Sequence, residues 1–185
     1  MNKAIEALKQ YLEKNDWPHE AHEDGLQLRG VIKGDNGRWE WYAEAGVENE
    51  FLLMRGLMPV NVPEMLRPVV GEYLLRVNCS LRWGNFDMDW SDGSVAFRTY
   101  LALFIRRKPT TGQLGNLLAA NCWAMDRYLP GLMSVIRGQM PPKEAFEKTE
   151  AEPQQQQRDA EPDAKPELRN APPAHLRLRM MPGEN

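Results

Sequence analysis

Few residues in this chain have the types and spacing to do chemistry. His19-Glu20-Ala21-His22-Glu23-Asp24 sets two imidazoles three apart among carboxylates, a group that could reach one metal ion. It is not HExxH, and it sits after Trp17-Pro18 in a polar stretch without a third ligand of fixed geometry, so a solvated loop is expected. Asp87, Asp89 and Asp92 resemble a calcium loop. That pattern wants acids or amides two apart and then glycine, whereas Ser91 takes the third slot and strand alternation already accounts for the acids. Asp126 and Tyr128, near Pro130, are expected to satisfy local backbone or neighbouring strands. Cys79 and Cys122 both fall in sequences that read as helices, and the expectation is two small buried apolar residues rather than a disulfide. No GxSxG or GxxxxGK[ST] occurs, and no Cys and His share a nucleophile–base context. The expectation is therefore no enzyme, no cofactor and no metal. A metal- or small-ligand-binding protein using the His19/His22 loop is the alternative.

Charge narrows the partners. The 185 residues carry 23 basic and 26 acidic side chains, a formal charge of −3, spread along the chain without a basic patch, so nucleic acid is not an expected partner. No apolar run approaches the roughly 20 residues that span a bilayer. The start, MNKAIEALKQYLEK, has charges every few residues and no uninterrupted apolar region of a secretory signal. A soluble, cytoplasmic protein is expected, with no membrane partner.

The elements that would position these residues begin with an amphipathic helix over residues 2–14, where Ala4, Ile5, Leu8, Tyr11 and Leu12 recur at helical spacing. A hairpin follows, from Leu26 to Gly34 and from Arg38 to Ala45. With Asn36-Gly37 as its two-residue loop, Lys33 opposes Glu40, Arg29 opposes Glu44 and Ile32 opposes Trp41. An Asp35-Asn36 loop would instead set Lys33 against Arg38, so complementary charge favours Asn36-Gly37. Leu28, Ile32, Trp39 and Trp41 then face the core. Phe51 to Met54 is a continuous apolar run that reads as a strand covered on both faces, with Gly56 to Val62 looping out beyond it.

A second helix follows Pro63 on the stripe Leu66, Val70, Leu74, Val77 and Leu81. Next comes the clearest hairpin: Phe86, Met88 and Trp90 alternate with polar residues, Asp92-Gly93 reverses the chain, and Val95, Phe97, Thr99, Leu101 and Leu103 resume the alternation. That loop pairs Trp90 with Val95, Met88 with Phe97 and Asp87 with Arg98. A third helix opens at Thr110 with Gln113 in a capping-box spacing, buries Leu114, Leu118, Cys122, Met125, Leu129, Leu132 and Ile136, and is expected to kink at Pro130, where the Asp126 carbonyl loses its partner. Gly138 stops it, and a short turn runs through Phe146.

From about Thr149 the prolines, a run of four glutamines and scattered charge predict a disordered tail over residues 149–185. Only residues 175–181, HLRLRMM, break the pattern, as a short docking motif would. The expected fold is α+β, an antiparallel sheet of about five strands packed against helices in the order α-β-β-β-α-β-β-α, in one domain over residues 1–148.

The segment from Val62 to Phe146 resembles the YbjN-like family of bacterial proteins. The resemblance rests on Val62-Pro63-Glu64, Arg76-Val77-Asn78, Gly84-Asn85-Phe86-Asp87-Met88-Asp89, Asp92-Gly93, Phe97-Arg98-Thr99, the run from Asp126 to Ile136 with Gly138, and Pro142-Lys143-Glu144-Ala145. It implies a fold similar to that of type III secretion chaperones, and bacterial regulation with a chaperone or adaptor role rather than a defined reaction. The tail departs from the family pattern.

One group of apolar residues is left over once a single core is filled. Val31 and Tyr42 oppose each other on the solvated sheet face, Tyr100 lies on the corresponding face of the central hairpin, and Leu52 and Met54 cannot share the core side with Phe51 and Leu53. In the fold this chain resembles, such surfaces serve dimerisation and capture of an extended client. Val31, Tyr42, Leu52, Met54 and Tyr100 are therefore the expected contacts for a protein partner or for a second copy in a homodimer.

Overall fold

A computed structural model describes residues 2–48, 50–103 and 108–158. The expected disorder of residues 159–185 and the HLRLRMM motif lie outside them. The protein is α+β: helix α1 (Lys3–Lys14), strands β1 (Glu20–Ala21), β2 (Gln27–Lys33), β3 (Arg38–Ala45) and β4 (Phe51–Asn61), helix α2 (Arg67–Ser80), strands β5 (Asn85–Met88) and β6 (Ser94–Ala102), then helices α3 (Thr111–Ile136) and α4 (Pro142–Arg158). The six strands pair antiparallel in the order β1-β2-β3-β4-β6-β5. The sixth strand is β1, two residues of the expected loop that pair with Leu28 and Arg29.

Local chemistry sets the ends of the helices. Asn2 caps α1 by accepting from the Ala4 and Ile5 amides, and Asp16 in the left-handed region at φ 55° follows its end. Thr110 and Gln113 form the capping box of α3. Helix α1 buries Ala4, Ile5, Leu8 and Leu12, and α2 buries Val70, Tyr73, Leu74 and Val77. The buried side of α3 is wider than the expected stripe, adding Leu117, Asn121, Ala124, Tyr128 and Val135, because the helix lies over β4 and β6 while α2 and α4 flank it. Cys122 is buried, and removal from water pushes its thiol up to about 12. Cys79 is exposed on α2 rather than buried, one position outside the stripe that α2 turns inward.

Both hairpins keep the expected faces but take other registers. In the first, Lys33 pairs with Arg38, Ile32 with Trp39, Val31 with Glu40 and Arg29 with Tyr42, so the loop is Asp35-Asn36. The cause lies in α3. Pro130 has no N–H to donate to the Asp126 carbonyl, and Asn36 Nδ2 donates to that carbonyl instead at 3.1 Å, while Asp126 Oδ1 accepts from the Asn36 amide at 2.8 Å. Burial raises the Asp126 carboxyl above the usual range, partly offset by those same bonds. Two bonds from a helix outweigh one exposed like-charge pair. Arg29 finds its carboxylate on β1 instead, at Glu20.

In the second hairpin Met88 pairs with Val95 and Phe86 with Phe97. The loop is four residues long: Gly93 donates to the Asp89 carbonyl at 2.8 Å, and Asp89 Oδ1 accepts from the Ser91 amide and hydroxyl. Gly93 has φ 77°, and a Cβ there would meet the Val62 carbonyl oxygen, whose own amide donates to the Gly93 carbonyl at 2.7 Å. The shift is by two residues, which leaves the side chains within the strands on their faces but moves Trp90, expected opposite Val95, into the loop, where it is exposed.

Strand β4 departs furthest. It continues through the segment expected to loop out, and its burial alternates strictly, with Leu52, Met54, Gly56 and Met58 inward. Leu52 and Met54 are core residues at 0% exposure, and Phe51 and Leu53 take the outer face. The run FLLM is apolar on both sides of the strand, so it carries no parity of its own. The parity comes from packing, because only Gly56 leaves room for Asn121 and Met125 of α3.

Helix α4 likewise runs past Phe146, and past the boundary expected at residue 148, to Arg158. Thr149 is buried and its carbonyl accepts from Arg127 Nη2 at 2.9 Å, while Glu150 accepts from the Tyr128 hydroxyl at 2.8 Å. Cutting the chain after Lys148 strips these partners from α3 and is expected to cost about 2–3 kcal/mol, lowering the melting temperature by roughly 5–10 °C relative to a cut after Arg158. Coincident melts of the two would show that residues 149–158 add nothing to the fold.

Candidate functional site

The described helices all lie on one side of the sheet, and among the described residues the other side is the candidate site. Alternation along the strands turns Arg29 and Val31 (β2), Glu40, Tyr42 and Glu44 (β3), Phe51, Leu53, Arg55 and Leu57 (β4), Arg98 and Tyr100 (β6) and Asp87 (β5) to that face. The pairing lines up Arg29, Tyr42, Arg55 and Arg98 in one row across four strands. Arg55 and Arg98 stand side by side and would repel, with Arg29 beyond Tyr42, and each is answered by a carboxylate: Arg29 Nη2 lies 2.7 Å from Glu20, Arg55 Nη2 3.1 Å from Glu44, and Arg98 Nε 2.8 Å from Asp87. The expected Asp87–Arg98 pair thus forms, on the diagonal rather than directly opposed. Glu40 accepts from the Tyr42 hydroxyl at 2.7 Å, and this bond raises the phenol above its usual value.

Between the charges runs an apolar band. Leu53 neighbours Tyr100 and Leu57 neighbours Ala96, while the Phe51 and Tyr100 rings stack at 5.8 Å. Tyr100 is 60% exposed, and Val31, Tyr42, Phe51, Leu53 and Leu57 are half-buried. Of the expected contacts, Val31, Tyr42 and Tyr100 are on this face, although Val31 and Tyr42 are diagonal rather than opposed. Leu52 and Met54 are on the other side, in the core. Phe51 and Leu53, expected on the core side, and Leu57, expected in a loop, take the outer face instead, and the sequence holds no signal for them because FLLM is apolar on both sides of the strand.

The remaining candidate groups are held by local bonds. His19 Nδ1 lies 2.9 Å from the Trp17 carbonyl, His22 Nδ1 lies 3.1 Å from Asp24, and Glu20 is taken by Arg29. The Leu26 amide, more than His22, lowers the Asp24 carboxyl. Asp89 and Asp92 accept from Ser91 and Ser94 within their own turn. Among the described residues, no three His, Cys, Asp or Glu side chains stand where they could hold one metal ion, and no helix is long and apolar enough to cross a membrane.

The arrangement offers a surface of aromatic and aliphatic groups that can be desolvated, framed by arginines that are each paired with a carboxylate. The model of the YbjN family, described as "Putative bacterial sensory transduction regulator", matches residues 4–133, from α1 through most of α3. No curated protein matches the chain.

Proposed function

The chain belongs to the YbjN family, and from that premise we propose that it is a non-enzymatic bacterial regulatory module that binds a partner polypeptide on the open sheet face, as a chaperone or adaptor does. The observation that carries this reading is the one-sided packing. A six-stranded sheet with all its helices on one face presents Val31, Tyr42, Leu53, Leu57 and Tyr100 together on the other. An apolar band of this kind on a bacterial regulator fits a partner segment that brings its own apolar side chains, with the Arg–carboxylate pairs as a polar rim. The partner acts in the cytoplasm in this reading, and a second copy of the chain is one such partner. The segment from Gly56 to Val62, expected to loop out, instead continues β4 as far as Asn61.

Tyr42→Lys and Leu53→Lys test the reading, because both side chains point away from the core and a lysine there costs little stability. The expected result is at least a tenfold loss of partner captured from the native cell, or of dimer in solution-mass measurements, with an unchanged melt. Unaltered capture and mass in both variants would overturn it.

A further inference from the structure

The sheet has an unfinished edge. Strand β5 spans four residues against the nine of β6, pairing only with Val95 to Arg98, so among the described residues no strand pairs with β6 beside Thr99 to Ala102 on that edge. The direction of the main-chain groups follows from two bonds. Leu103 donates to the Glu50 carbonyl at 2.8 Å, which turns Leu103, Leu101 and Thr99 towards β4, and Asp89 donates to the Ser94 carbonyl at 2.9 Å, which turns the even-numbered residues the other way. The N–H and C=O groups of Tyr100 and Ala102 thus point off the edge, and among the described residues no hydrogen bond is made to them there. Tyr100, with Thr99 and Leu101, borders a groove of about 530 Å³ between β6 and α3, walled by Trp83 and floored by Leu117 and Ala120, with no charged side chain in its lining. The groove runs on past Ala119 and Ala120 to Trp123.

An open ladder calls for an extended peptide, and the neutral apolar wall beside it calls for an apolar side chain at every second residue. The chain contains such a segment. In residues 175–181, Leu176, Leu178 and Met180 alternate with His175, Arg177 and Arg179. Helix α4 also delivers it to the right place. Short connection and paired contacts set α4 antiparallel on α3, with Glu150 against Tyr128, so the eight helical residues after Glu150, about 12 Å at 1.5 Å each, lead towards the Trp123 end of the groove. The 16 residues between Arg158 and His175 span at most about 50 Å as extended chain, a contour long enough to reach the edge.

We propose that residues 175–181 of the same chain add to β6 beside Tyr100 and Ala102, with Leu176, Leu178 and Met180 against Trp83, Leu117 and Ala120 and the arginines towards solvent. The site is separate from the open sheet face of the proposed function and stands independently of it. Amide hydrogen exchange followed by NMR on the full chain tests it, comparing the unaltered protein with Leu176→Glu/Leu178→Glu, whose substitutions leave the packed helices and strands untouched. The Tyr100 and Ala102 amides are expected to exchange at least tenfold more slowly in the unaltered chain, independent of protein concentration, and the Trp83 indole is expected to become more accessible to a neutral quencher in the variant. Equal exchange in both chains would overturn the proposal. So would protection that grows with concentration, since the occupant would then be a second copy.

Discussion

Phe97→Ala is expected to cost about 3–5 kcal/mol, a large part of the 5–15 kcal/mol that holds a domain of this size together. Phe97 is fully buried on β6, its ring centre 4.6 Å from that of Phe86, and Gly84 crosses so close to it that a Cβ there would lie 2.6 Å from Phe97 Cζ. The surroundings are backbone and ring edges that cannot collapse into the space left behind. One residue along, exchanging the charges of Asp87 and Arg98 should change stability by less than about 1 kcal/mol, because that pair is solvent-screened on the open face. Urea unfolding of both variants checks the contrast. Similar costs for the two would mean that the faces of β6 are misassigned.

The second large effect is expected at Gly56. A Cβ there would come 2.7 Å from Asn121 Oδ1 and 2.8 Å from Met125 Cγ, and both belong to the helix that covers the sheet. Asn121 is wholly buried and donates to the Phe97 carbonyl at 3.0 Å, with the Met54 carbonyl and Thr99 hydroxyl each at 3.4 Å, so it yields only at the expense of these bonds. Gly56→Val should therefore combine overpacking with a lost buried hydrogen bond, about 3–5 kcal/mol in all. Denaturant midpoints are the readout. A loss below 1 kcal/mol would show that α3 is not seated on β4 as described.

What was legible in the sequence follows a physical division. The helices could be read because their caps are local: Asn2 and Thr110–Gln113 bond to their own first turns. Faces in both hairpins could be read because Leu28, Ile32, Trp39 and Trp41, or Phe86, Val95 and Phe97, alternate with polar neighbours. Registers could not. A shift of two residues preserves every face, and the charge pairing used to choose between loops is worth only a few tenths to 1 kcal/mol. The decision fell to Asn36 meeting Asp126, 90 positions away. Pro130 held half of that answer, since the carbonyl it frees is the one Asn36 fills. The parity of Phe51 to Met54 was illegible because both sides of the strand are apolar, which put Leu52 and Met54 on the wrong face. For α4, composition argued against a helix, and only Arg127 and Tyr128 across the helix pair show why it persists. The open face itself was half legible: Val31, Tyr42 and Tyr100 stood out as apolar residues in surplus, whereas Phe51, Leu53 and Leu57 needed the sheet to be seen beside them.

The central claim, that the open sheet face is where a partner polypeptide binds, is tested most directly by a photoreactive amino acid placed at Tyr42 in the native cell, with the same group at Leu75, exposed on α2, as control. The account predicts a discrete polypeptide cross-link from position 42 and none from position 75. Cross-linking from position 75 alone, or equally from both, would contradict it.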